Sequence, residues 1–240
     1  YFQPRRLRSE ELRDSMLFVS GELNTEMGGL PVFPEINMEV AMQPRHVMGS
    51  IAPAYQPSPT PEQRNRRTIY VYRYRGLSDP MLEVFNQPSA DISCERRTSS
   101  TVTPQVFTLF NSQNSYRRAL AMAQRLVKER SQLSEQIQCG VQLAWCRNAE
   151  PDEVRQSVDF VKKMIDYHQQ HPPAVQADPV AIERTMFEEM TGEPFTYTEQ
   201  LDIYQNYTPD SQPWTVPVEI RALADFCLLL LNANEFVYVY

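Results

Sequence analysis

The residues with the most reactive chemistry stand together in one loop, Ser93-Cys94-Glu95-Arg96-Arg97-Thr98. A thiol beside two guanidinium groups is in a setting that favours the thiolate, the form in which cysteine attacks. Glu95 opposes that field, and a burying neighbourhood would oppose it as well. The same two arginines can instead lock the loop against carboxylates and helix carbonyls, and the residues read better as such a clamp. Cys94 is thus a candidate reactive thiol without an assigned role. Arg66, Arg67 and Arg73, just upstream, join Arg96 and Arg97 as candidate anion-binding groups. Arginine's planar fork matches carboxylate, sulfate and phosphate, whereas lysine mostly solvates a surface. Of the 23 basic residues, 20 are arginine.

Other chemistry is sparse. The three histidines are His46, His168 and His171. The pair in His168-Gln-Gln-His171 lacks the carboxylate of an HExxH site and is stopped by two prolines, so it reads as a solvated helix end. No Ser/His/Asp or Cys/His arrangement can be assembled locally. The four cysteines, Cys94, Cys139, Cys146 and Cys227, form no CxxC, CxxCH or zinc cluster. No metal is expected, and no cofactor within this chain. Cys139 and Cys146 would lie roughly 10 Å apart on a helix, too far for a disulfide between them.

The net charge of −7 argues against a nucleic-acid binder. Residues 1–120 carry 14 basic and 12 acidic groups, whereas residues 121–240 carry 9 and 18. Arginines of the first half therefore have an acidic second half to pair with. The longest strongly apolar run, Phe226–Leu231, is far short of the ~20 residues of a membrane span.

Those groups need elements to hold them. Ser9, followed by Glu10 and Glu11, suits a helix start, and Leu12, Met16, Val19 and Leu23 mark its apolar face. Seven prolines between Pro31 and Pro61 then predict a long stretch without regular structure. Thr68–Arg75 alternates, with Tyr70, Tyr72 and Tyr74 on one face, and predicts a strand to which Met81–Phe85 could pair. From Thr103-Pro104 onward the period becomes helical. Helices are predicted near 104–111, 114–130, 132–147, from Pro151 to before Pro172, from Pro179 through Met190, and over about 219–233, with Val237–Tyr240 a short strand or docked end. The expected fold is mainly α: a helical bundle with a small two-stranded β element and long proline-rich loops. It is expected as one domain over 1–240, with 1–111 holding a helix, the proline-rich loop and the β element, and 112–240 the bundle.

Several segments together resemble the planctomycete PSD-type C-terminal domain, domain of unknown function 1553. They are Arg6-Leu7-Arg8-Ser9-Glu10-Glu11-Leu12-Arg13-Asp14, Val19-Ser20-Gly21-Glu22-Leu23, Met27-Gly28-Gly29, Asn65-Arg66-Arg67-Thr68-Ile69-Tyr70, Leu82-Glu83-Val84-Phe85, Ser93-Cys94-Glu95-Arg96-Arg97, Thr103-Pro104-Gln105 and Leu229 to Tyr238. The resemblance implies an extracytoplasmic (periplasmic or cell-surface) location and a chain that is the C-terminal part of a larger protein, lacking the family's N-terminal portion. It also implies frequent fusion to a cytochrome c-like domain, so that haem would belong to an upstream domain or partner. It supplies no catalytic residues. This chain has Cys146 where that pattern often has glycine, and Leu228 where it often has a basic residue.

Two readings follow. In the first the chain is a non-catalytic accessory or structural module of a secreted protein, partnered by the rest of that protein or by a cytochrome c-like domain. In the second it is a subunit of a haem-linked oxidoreductase or polysaccharide-processing enzyme that grips acidic or sulfated sugar with its arginines. A scaffold reading differs from the first by self-association through an exposed apolar patch.

Overall fold

A computed structural model describes residues 3–47, 50–98 and 100–239, and about half of the chain is helical. Helix α1, Ser9–Ser20, buries Leu12, Met16, Leu17 and Val19. Its first turn is closed one residue earlier than the hydroxyl signal suggests: the Arg8 N–H donates to the Glu11 carboxylate at 2.9 Å, while the Ser9 hydroxyl turns to Glu10. Gly21 ends it at φ 81°, a left-handed conformation that glycine adopts without strain.

Short elements fit between the prolines of the segment expected to lack structure. They are α2, Met38–Ala41, the antiparallel pair β2 (Arg45–Val47) and β3 (Ser50–Ala52), and α3, Pro61–Arg64. Pro61 begins α3, where a missing N–H is harmless. His46 stands opposite Ile51 in that strand pair.

Helices follow as α4 (Pro80–Val84), α5 (Thr103–Asn111), α6 (Gln113–Glu129), α7 (Leu133–Trp145) and α8 (Pro151–Gln170). After the strand pair β4 (Ala181–Phe187) and β5 (Pro194–Gln200) come α9 (Val218–Asn232) and α10 (Asn234–Val237). The α9 helix is apolar around most of its circumference, the signature of a helix with neighbours on every side. It buries Ile220, Ala222, Leu223, Ala224, Phe226, Cys227, Leu230 and Leu231 against α5, α6, α7 and α8. The opposite side of α6 receives α1. Gly140 permits the closest approach: a Cβ there would stand 3.2 Å from both Leu126 Cδ1 and Leu230 Cδ1.

The end of α7 carries a local strain. Cys146 is left-handed at φ 55°, where only glycine and, less readily, asparagine are at ease. Glycine at this place relieves a clash between Cβ and the following carbonyl. Cys146→Gly should therefore raise stability by about 1 kcal/mol, read as a higher midpoint in urea with an unchanged slope.

Three expectations are corrected. Thr68–Arg75 is no strand: Thr68–Tyr70 is a 3-10 turn, and Val71 meets only Val32 in a single bridge. Tyr72 and Tyr74 are placed by edge-to-face and tilted ring contacts, since Phe33, Tyr55, Tyr72 and Tyr74 form one aromatic cluster with centroids 4.6–6.4 Å apart. Residues 81–84 are helical because the Asp79 carboxylate accepts the Met81 N–H at 2.9 Å and caps α4, with Phe85 just past its end. Residues 181–187, expected as helix, pair with 194–200 around Gly192. Buried Arg184 and Met186 face one way and exposed Thr185 and Phe187 the other, so period two overrides the Ile182, Met186, Met190 spacing.

The small β element thus lies elsewhere than expected, and three two-stranded sheets occur among the described residues. The third joins the two ends of the chain. There β1, Arg5–Arg6, runs antiparallel to β6, Tyr238–Val239, and the Leu7 N–H donates to Val237 O at 2.8 Å. Tyr240, assigned to the same tail, lies outside the described residues.

Candidate functional site

The segment after α3 sends its arginines in different directions. Arg66 turns toward residues 26–30. Its Nη1 donates to Leu30 O at 3.1 Å, and its Nη2 donates to Glu26 O at 3.0 Å and to Gly28 O. Gly28 and Gly29, both near φ 80°, bend the chain so that these carbonyls converge. The guanidinium lies 4.1 Å from the Tyr70 ring centroid, and the Tyr70 hydroxyl accepts the Gly28 N–H at 2.9 Å. Arg66 is thus consumed by the loop it gathers.

Arg64 turns inward and is 1% exposed. It donates to Ser58 O (2.9 Å), Thr208 O (2.8 Å) and Asp210 Oδ1 (2.7 Å), and stacks on Tyr207. The second Asp210 oxygen accepts from Arg118 of α6, whose Nη1 lies 2.8 Å from Glu22. Burial pushes the Asp210 carboxyl up, but Arg118 and Arg64 outweigh it and hold it below the usual carboxylate range. Arg13 of α1 adds a further tie, donating to Arg64 O (2.8 Å), Arg66 O (2.9 Å) and Thr68 Oγ1 (3.1 Å). These groups line a cavity of about 30 Å³ that also meets Glu35 and Asp79, and burial raises the Asp79 carboxyl. It is water-sized and too small for a sugar. The sequence analysis missed this network; the near-absence of lysine beside so many arginines was its one available sign.

The other predicted arginines lie at the surface around the start of α1. Arg97 grips Glu10 in a two-pronged pair of 2.8 and 2.9 Å. Arg67 Nε is 3.8 Å from Asp14, and Arg73 donates to Pro88 O. Arg96 has no side-chain partner among the described residues, and no ion pair forms at Arg8, Arg73 or Arg96 there, although Arg8, after Arg5, helps hold the Glu11 carboxyl low. Arg8, Arg73, Arg96 and Arg97, with Glu95, Cys94 and Ile92, line an open groove of about 730 Å³. Arg67 joins Arg73 and Arg97 in the adjoining depression. Four of the five predicted arginines therefore share one rim, and Arg66 does not. Exposed Cys94 directs its thiol to Arg96 O, 3.3 Å away.

The Glu10 pair sets a pH dependence. Burial raises the Glu10 carboxyl, but the Arg97 bonds, its own N–H and the Ser9 hydroxyl outweigh it and bring it from 4.5 to about 2. A carboxylate held lower in the folded than in the unfolded chain stabilises the fold above its unfolded value and loses that contribution as pH falls through the folded one. Glu10→Gln should thus lower the melting temperature at pH 7, and the gap between variant and parent should close between pH 4.5 and 2.

The histidine pair divides: His171 is exposed at the helix end as expected, whereas His168 is not. His168 Nε2 lies 2.8 Å from Asp225 Oδ2 on α9, mostly buried, and His171 stacks on Tyr167 with centroids 4.3 Å apart. Among the described residues no group of three or more His, Cys, Asp or Glu could hold a metal ion, and no helix is long and apolar enough to cross a membrane.

No curated protein and no solved structure matches the chain. The family model described as PSD1, Protein of unknown function (DUF1553), matches residues 1–161. That match spans α1 through the first half of α8, and so includes Arg64, Arg66, the open rim and Arg118. With 161 of its 240 residues matched, the chain belongs to the PSD1 family of proteins of unknown function.

Proposed function

We propose that this chain is an accessory or structural module of a larger extracytoplasmic protein, without catalysis of its own. Its arginines fasten the proline-rich segment to the helices, and the helices form a bundle that presents it. The observation that carries this reading is Arg66, whose two terminal nitrogens donate to three backbone carbonyls of its own chain. Any haem chemistry is assigned to a cytochrome c-like domain or partner, because no Cys-x-x-Cys-His stands here to receive the group. The resemblance to planctomycete secreted proteins supports that pairing and the location.

Arg66→Ala tests the reading. It should lower stability by about 1–3 kcal/mol and open residues 26–30 to limited proteolysis, leaving affinity for a sulfated oligosaccharide unchanged. A variant of parental stability that no longer holds the oligosaccharide would overturn it.

A second reading rests on Arg96. A guanidinium without a side-chain partner, beside Arg8 and Arg73 in an open groove, suits an acidic or sulfated sugar. Here Arg73→Ala/Arg96→Ala should abolish oligosaccharide binding at parental stability.

A further inference from the structure

The β4–β5 hairpin carries at its tip what the arginine groove lacks. Its base is fixed: Arg184 Nε is 2.6 Å from Glu199 Oε2, the other Glu199 oxygen accepts the Ala54 N–H at 2.7 Å, and the Leu201 N–H donates to Val180 O. Its tip projects. The turn is closed by Glu188 N–H to Glu193 O (2.9 Å) and Gly192 N–H to Glu188 O (2.8 Å). Met190 at the apex is 93% exposed, and Phe187 and Phe195 flank it, also exposed.

The charges are opposite in sign. Glu188, Glu189 and Glu193 at the tip make no ion pair among the described residues. In the groove Arg8, Arg73 and Arg96 form no ion pair among the described residues, Glu95 is the one acidic lining residue, and Ile92 adds an exposed apolar side chain. A surface apolar cluster rimmed by uncompensated charge, and a groove of opposite charge with an apolar residue inside, are the two halves of an interface.

We propose that the occupant of the groove is the hairpin tip of a second copy of this chain. Met190 and Phe187 enter beside Ile92, and the three glutamates meet Arg8, Arg73 and Arg96. One tip and one groove per copy allow reciprocal pairing into a dimer, or head-to-tail growth where the rotation does not close. This goes beyond both functional readings, since neither requires self-association.

The test uses the full chain and sedimentation velocity across a wide concentration range at low and high salt. The parent should associate in a concentration-dependent way, more weakly at high salt because rim pairs are screened. Met190→Asp should weaken association by about tenfold or more. Arg73→Glu/Arg96→Glu alone and Glu188→Arg/Glu189→Arg alone should each remain monomeric with unchanged circular dichroism, and an equimolar mixture should associate again. A parent that is monomeric throughout overturns the proposal. So does a mixture of two folded charge-reversed variants that stays monomeric. Binding of a sulfated oligosaccharide by a parent that never self-associates would also overturn it, while leaving the second functional reading standing.

Discussion

Asp210→Ala is expected to lower the free energy of unfolding by about 3–5 kcal/mol, the largest effect of any single polar substitution in this chain. Asp210 is 6% exposed and stands between Arg64 and Arg118. Its removal leaves two buried guanidinium groups, with Glu22 the one carboxylate still in ion-pair contact among the described residues. A buried pair adds little over an apolar replacement, because desolvation cancels much of the attraction. Breaking it is different, since the uncompensated charge stays inside. The damage should be directional: Arg64 also holds Ser58 O and Thr208 O, so residues 55–66 and 207–210 should loosen together. Denaturant unfolding gives the magnitude, and amide exchange at Asn65 and Thr208 gives the place. A loss under about 1 kcal/mol would put the pair in the class of solvent-screened surface bridges.

Leu126→Ala should cost about 2–5 kcal/mol by another mechanism, the loss of transfer free energy together with a cavity that its neighbours fill only in part. Leu126 is fully buried where α6, α7 and α9 meet. Gly140 makes the prediction sharper. In the parent chain an alanine there would crowd Leu126 Cδ1 and Leu230 Cδ1, each 3.2 Å from the added Cβ. Once Leu126 is truncated, one of those contacts is gone and the new methyl fills part of the space. Gly140→Ala should therefore rescue Leu126→Ala by more than its effect alone, with a coupling of about 0.5–3 kcal/mol. Strict additivity in a double-mutant cycle would show that the two sites do not share a cavity.

The helices from Gln113 to Gln170 could be read from the chain because each has an apolar stripe at helical spacing, with Pro151 opening the last and Pro172 closing it. The errors share a cause. Alternation at Thr68–Arg75 states only that odd and even residues differ; it does not supply a neighbouring strand, and tilted and edge-to-face contacts of Tyr72 and Tyr74 with Phe33 and Tyr55 hold the segment instead. Ile182, Met186 and Met190 match a helical period, but Thr185, Thr196 and Thr198 favour extended chain, and the pairing partner begins only at Pro194. In the candidate site, the rim of Arg67, Arg73, Arg96 and Arg97 was visible because those residues are close in sequence. The Arg64–Asp210 pair was not, since its members are 146 positions apart and nothing local marks an arginine as buried. The internal use of Arg66 likewise depended on where Gly28 and Gly29 direct their carbonyls.

The pairing of Arg5–Arg6 with Tyr238–Val239 has a topological consequence. It brings the two ends of the described chain to neighbouring-strand distance, about 4.8 Å. Whatever polypeptide is joined to either end must leave from the same edge of the molecule. Such a unit can be spliced into a surface loop of a host protein without forcing that loop apart, or be circularly permuted by linking the ends and opening another turn.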